Sequence, residues 1–290
     1  MRVSYTTNEQ PVTLKVFVKT QRQEEIRIRV FDSVNIPNTT RSVAVYEDRT
    51  QKVYGVQTFF VKMPCSPKVA VVEIYNVKRG NLPSGADKSF AFKIEPVALE
   101  ATILPLYIPQ KKARDFMIFA QDFAKQKNIT SAGYSGSARS IYMSHDKTLR
   151  IDYYDVLRDV RRTLTNPYTG QVIVNPRFMQ EVTTPMRTQA DTGIIEVSKR
   201  YTDSYTVPEF IAVLAHEFCH TKVNEKPEDE FEADRNAAII VLSMGYGKIP
   251  TYTAFLKVFR NADNKGNRMR EEKLYDFIEK FSVGSSFLIA

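Results

Sequence analysis

The sequence predicts an α+β chain with its sheet at the start and its helices at the end. Three observations carry this. Within residues 1–105, short runs alternate apolar and polar side chains with period two, which turns one face of each strand inward. In the stretch Leu104 to Pro109, Pro105 and Pro109 break any regular element and mark a linker. Beyond residue 207, apolar side chains recur at helical spacing.

The strand runs are Val12 to Lys19, Ile26 to Val30, Tyr54 to Met63, Lys68 to Asn76 and Phe90 to Ile94. Turn-forming clusters separate them: Pro37 to Thr40, Pro64 to Pro67 and Gly80 to Gly85. Short strands at this spacing predict an antiparallel β-sandwich or barrel. Arg27 and Arg29 on one face of a strand fit a sheet wetted on one side. No catalytic constellation stands out in residues 1–105, so a binding or assembly module is expected there.

Past the linker, Phe116, Phe119 and Phe123 give Ala113 to Lys127 a helical stripe. Tyr134 to Met143, Leu149 to Tyr154 and Gly193 to Ser198 read as strands, and Val172 to Val174 is a brief apolar run. Val156 to Leu164 reads as a short basic helix. Helices are expected over 207–222 and 227–244, then over Tyr252 to Asn261 and Arg270 to Phe281.

A length of 290 residues allows two domains and a real core. Composition is that of a soluble globular protein, 43% hydrophobic and 26% charged. No run approaches the ~20 apolar residues that cross a bilayer. The first six residues, Met1 to Thr6, lack the apolar core of a signal peptide. A cytoplasm-like compartment is therefore expected, with no membrane span. Cys65 and Cys219 are expected to be reduced thiols. The net charge of +8 admits nucleic acid as a partner, but the basic residues are scattered among acidic ones, which fits a solvated surface.

Chemistry concentrates in His216-Glu217-Phe218-Cys219-His220, an HExxH sequence. Pro208 and Glu209 stand where a helix would begin. On that helix His216 and His220 project from one face about a turn apart, and two imidazoles so placed can share one ion. Glu217 can reach a metal-activated water without being a ligand. A catalytic zinc needs a third protein ligand and an open position. After nine intervening residues the chain reads Glu230-Phe-Glu-Ala-Asp234, the ExxxD opening of a second helix. Pro227 is where that helix can start. A short polar connection makes the helices antiparallel neighbours, which can bring Glu230 back to the histidines. Asp234, one turn on, can accept the free N–H of a ligand histidine. Ala233, Ala237 and Ala238 let the helices approach closely. Cys219 points about 100° away from His220 and reads as a small buried hydrophobe. His145, in the turn-like Ser144 to Lys147, reads as a surface residue.

At these residues the chain resembles the gluzincin metallopeptidases, whose pattern is HExxH plus a glutamate on a following helix, often E-x-x-A-D. Residues 192–246 also resemble compact zinc-peptidase-like proteins of large tailed bacteriophages, which share a strand like Gly193-Ile-Ile-Glu-Val and a Gly-Tyr like Gly245-Tyr246. The resemblance implies a zincin-like domain over 106–290. It implies zinc ligation by His216, His220 and Glu230, Glu217 as general base and Asp234 as the carboxylate behind the ligands. The family's transition-state electrophile has no match by motif; Tyr201, Tyr205, Tyr246 and His145 are the candidates.

The expected activity is hydrolysis of a peptide or protein by water that zinc activates and Glu217 deprotonates, with Gly193 to Ser198 either the edge along which the peptide pairs or an ordinary strand of a sheet. The rival expectation is a structural subunit of a large assembly such as a phage ring, connector or tail. Such a subunit would be incorporated into a virion in the host cell, contact other subunits through its β module and keep the metal site.

Overall fold

The computed structural model describes residues 2–33, 44–80, 90–99, 116, 118, 120, 139–142, 150–159, 163–165, 168–170, 172–174, 180–261 and 264–281. It is a mixed α+β structure. The expected linker at 104–109 and His145 fall outside the described residues, as does most of the helix expected over 113–127.

Strands β1 (Arg2–Thr6), β2 (Val12–Asp32), β3 (Val45–Met63), β4 (Val69–Asn76) and β5 (Phe90–Ala98) form one antiparallel sheet. The two runs expected as separate strands, Val12 to Lys19 and Ile26 to Val30, are one 21-residue strand. Residues 21–23 bulge out of its ladder with β3, between Thr20↔Gly55 and Glu24↔Val53. A bulge bends a strand while leaving it paired. The inward row survives the bend: Leu14, Val16, Val18, Ile26, Ile28 and Val30 are all buried. Glu24 shares that row. Its carboxylate is satisfied by Arg79 at 2.6 Å, Arg22 at 2.9 Å and Asn76 at 3.1 Å, which offsets the cost of burying a charge.

One edge of β2 is shared, its first half pairing with β5 and its second with β4. The other edge pairs with β3 throughout. The sheet curls until the Tyr5 hydroxyl on β1 donates to the Ile94 carbonyl on β5 at 3.0 Å.

A second sheet lies under the helices that carry His216, His220 and Glu230. It contains β6 (Arg139–Tyr142), β7 (Arg150–Tyr154), β12 (Met186–Thr188) and β13 (Ile195–Ser198) in the order β12-β13-β7-β6. Only the β13–β7 pair is parallel. Two small ladders come between in the chain: β8 (Arg158–Asp159) with β11 (Gln180–Glu181), and β9 (Thr163–Thr165) with β10 (Val172–Val174). The basic helix expected over Val156 to Leu164 is therefore wrong. Thr163 and Thr165 are β-branched, and Gly170, with φ +63°, precedes the partner strand of a hairpin instead.

Five helices are described: α1 (Lys199–Thr202), α2 (Val207–Lys222), α3 (Glu230–Ser243), α4 (Lys248–Asn261) and α5 (Lys265–Lys280). α2 packs on α3, on α4 and on β12. Ala233, Ala237 and Ala238 are fully buried, as close helix approach requires. Cys219 and Cys65 are both buried, and no disulfide joins them. One core cluster runs from the curled sheet into the helices. Among the described residues no helix is long and apolar enough to cross a membrane.

Candidate metal centre

Helix α2 starts with a capping box: the Glu209 carboxylate accepts from Thr206 N–H at 2.7 Å, and Thr206 Oγ accepts from Glu209 N–H at 3.5 Å. Pro208 occupies the first turn, where its missing N–H costs nothing. Lys257 of α4 clamps the same Glu209 at 2.7 Å. The start of the helix is thereby pinned, and His216, Glu217 and His220 follow at set angles.

The connection to α3 is ordered by its own side chains. Asp229, not Pro227, caps the helix, accepting from Phe231 and Glu232 N–H at 3.0 Å each. Glu232 reaches back to accept from Glu225 N–H at 3.0 Å and Lys226 N–H at 3.2 Å. Pro227 instead lends its carbonyl to His220 Nδ1 at 2.5 Å. Glu230 consequently stands at the first position of α3, facing both histidines.

The three expected ligands converge. One donor atom each from His216, His220 and Glu230 lies within 4.8 Å of the others, and the group can hold a metal ion. The two Nε2 atoms are 3.0 Å apart. Glu230 Oε2 is 3.3 Å from His216 Nε2, and Oε1 is 3.8 Å from His220 Nε2. Behind His216, Nδ1 lies 2.9 Å from Asp234 Oδ1, close though not ideally aligned for a hydrogen bond.

With each Nδ1 close to an acceptor, a neutral ring at either position would turn its Nε2 lone pair toward the other histidine. Two lone pairs at that distance repel unless a cation or a proton lies between them. The electrostatics agree. Burial opposes charge on His216, but Asp234 and Glu230 outweigh it and raise its pKa to about 10. The contact with His216 holds Glu230 down at about 2. The residues present therefore fit a bound cation.

The centre opens onto a cavity of about 450 Å³, whose walls include Glu217, Thr188, Arg187, Phe259 and Arg270. Thr188 Oγ lies 2.8 Å from Glu217 Oε2 and also 2.8 Å from the Glu217 carbonyl. Thr188 ends β12. That strand is an edge: among the described residues it pairs with β13 alone. The edge role expected for Gly193 to Ser198 is corrected here. β13 has β12 on one side and β7 on the other, so its main-chain groups are spent.

Arg270 of α5 binds Asp234 through Nε at 2.7 Å and Nη2 at 2.8 Å, and Nη2 lies 3.1 Å from Glu230 Oε2. Arg270 and Thr188 escaped the sequence reading. They lie 36 residues from Asp234 and 29 from Glu217, and no spacing rule links them to HExxH. None of Tyr201, Tyr205 and Tyr246 lines this cavity. Tyr246 lines a separate cleft between β3 and the α3–α4 turn.

No protein-family model, curated protein or solved structure matches the chain.

Proposed function

We propose that the chain is a zinc-dependent peptide hydrolase of gluzincin type, with His216, His220 and Glu230 as ligands and Glu217 as general base. The observation that carries this reading is the convergence of two histidine Nε2 atoms and one carboxylate at a cavity that also holds Glu217. Two imidazoles, one carboxylate and an open side form the donor set of catalytic zinc.

A zinc ion bound there supplies a Lewis acid that acidifies water and polarises a peptide carbonyl. The chain's own groups do the rest. Glu217 takes the proton of the attacking water and passes it to the leaving amine. Thr188 holds the Glu217 carboxylate by a hydrogen bond at 2.8 Å, restricting its rotation. An extended peptide adds along the edge of β12 that no described strand covers, where main-chain groups give affinity without sequence preference, although the Met186 carbonyl already accepts from Thr184 Oγ at 2.7 Å. Asp234 keeps the His216 ring oriented.

Metal analysis of the purified chain, together with a peptide-library cleavage assay, tests this. Equimolar zinc, lost in His216→Ala and His220→Ala along with cleavage, is expected. A wild-type chain that takes up no zinc overturns the reading.

A second reading is favoured by a different surface. Among the described residues β3 pairs with β2 alone, and one of its faces exposes Tyr54 (69%), Val56 (67%) and Phe60 (52%). Exposed apolar groups in a row on an edge strand are what a protein contact covers. This supports a subunit of a larger assembly, such as a phage virion component, with the zincin-like site retained. Sedimentation of the chain with and without Tyr54→Lys and Phe60→Lys separates an assembling protein from a monomeric enzyme.

A further inference from the structure

Far from the metal centre, strand β3 builds a cleft of its own. Arg49 and Phe60 are 11 residues apart on this strand, about 36 Å if it ran straight. Arg49 Nη2 nevertheless donates to the Phe60 carbonyl at 3.2 Å, and its guanidinium lies over the Phe59 ring, 5.3 Å from the centroid. β3 therefore folds back on itself. It does so at Gly55, with φ +70°, beside the bulge at residues 21–23 of β2. The two arms of β3 line a cleft of about 960 Å³, whose other wall includes Pro208, Ile249 and Pro250.

Strand geometry says which main-chain groups of β3 look away from β2. The Tyr5 hydroxyl takes the Ile94 carbonyl on the outer edge of β5, so Glu95, not Ile94, bonds to β2. Glu95 stands opposite Lys15, whose N–H and C=O are thereby turned to β5 and away from Phe60, its neighbour on β3. Phe60 then points its own N–H and C=O at the edge that no described strand covers, as the Arg49 contact requires. Two residues to either side, Thr58 and Lys62 do the same. All three residues line the cleft. Among the described residues, the Phe60 carbonyl alone of these groups has a partner, Arg49.

The side chains match a ligand of the same kind. Arg49 Nε, a donor, and Gln57 Oε1, an acceptor, are buried without a partner, and both residues line the cleft. A buried polar atom left so is costly. A peptide group answers both at once, whereas a simple anion or cation answers only one. Phe60 and Ile249, both exposed, add apolar surface from opposite walls. Charge is nearly balanced: Glu47, Asp48, Glu209 and Glu279 stand against Arg49, Lys62 and Lys248. The cleft therefore selects no charged ligand.

We propose that this cleft takes an extended, uncharged segment of another polypeptide as an added strand on β3, paired through Thr58, Phe60 and Lys62. The proposal rests on the assembly reading above, which it deepens by giving the partner's chemistry. It uses no property of the metal centre.

The test uses the full chain and short peptides selected against it from a yeast-displayed random library, then synthesised. Uncharged peptides are expected, and N-methylation of alternate backbone amides should weaken their binding about tenfold or more. Thr58→Pro and Lys62→Pro each remove an N–H on the uncovered edge and no bond to β2, a place where a strand tolerates proline. Each should fold and weaken peptide binding by the same factor. If one does not fold, the other and the N-methylated peptides decide. Selection of no peptide overturns the proposal, as does binding that survives both N-methylation and the proline variants. Sedimentation separates its failure from that of the assembly reading. An assembly that Tyr54→Lys disrupts and both proline variants leave intact is held by the outer face of β3, which keeps the assembly and overturns strand addition. A chain that sediments as a monomer and binds the peptides as expected supports strand addition and removes only self-assembly.

Discussion

The Thr188 hydroxyl sits 2.8 Å from Glu217 Oε2, tying the end of an edge strand to the glutamate between the two histidines. A carboxylate that must accept a proton from one direction works best when it cannot swing. Thr188→Val keeps the shape and removes the donor. Peptide hydrolysis should fall about tenfold in kcat, a fraction of what a general base contributes, with zinc content unchanged. Steady-state kinetics beside metal analysis of the same sample checks this.

Glu217 itself is not among the converging ligand atoms. Glu217→Gln should therefore bind zinc like the wild type while hydrolysis drops by about a hundredfold or more. Normal cleavage by this variant would rule out the base assigned here.

Asp234 is fully buried between His216 and Arg270. Asp234→Asn keeps its volume, loses its charge and can turn an N–H toward His216. Zinc affinity should weaken about 10- to 100-fold, measured by competition with a chromophoric chelator. Retained affinity would show that ring orientation does not depend on this contact.

Far from the centre, Glu24 sets an acid sensitivity. Burial pushes its pKa up, but Asn76, Arg79 and Arg22 pull harder, and the net shift is downward. A carboxylate depressed in the folded state stabilises the fold above its unfolded pKa. That stabilisation is lost as pH falls through the lower folded value. The melting-temperature gap between wild type and Glu24→Gln should be widest near neutrality and shrink below about pH 4. A gap constant from about pH 7 to about pH 3 would contradict this.

Gly245 follows α3 with φ +101°, and an added Cβ would meet Leu99 Cδ2 at 3.0 Å. Gly245→Ala should cost about 1–3 kcal/mol from backbone strain, read as a lower denaturant midpoint. It also couples the end of β5 to the turn after α3, so the loss should appear as one cooperative transition.

The His216, His220 and Glu230 cluster was legible because its residues are related locally. HExxH sets His216 and His220 one helical turn apart, and the short capped connection gives Glu230 little freedom over where it can lie. Strand content was legible from period two, but not the continuity of β2. The bulge at residues 21–23 interrupts the pairing without ending the strand, and polar residues there resemble a turn. The helix expected over Val156 to Leu164 failed because a run that short is decided by whichever partner it finds; here Thr163 to Thr165 found Val172 to Val174.

By itself the sequence determined the α+β order, the two helices of the candidate site and the His216, His220 and Glu230 cluster, since each depends on residues within a few turns of one another. Only the tertiary structure decided that β12, among the described residues, is the edge strand beside the site, that Thr188 meets Glu217 and that Arg270 holds Asp234 and Glu230. Those contacts join elements far apart in the chain. Their geometry follows from how sheet and helices pack, and hydrophobic periodicity records which face is buried, not what that face meets.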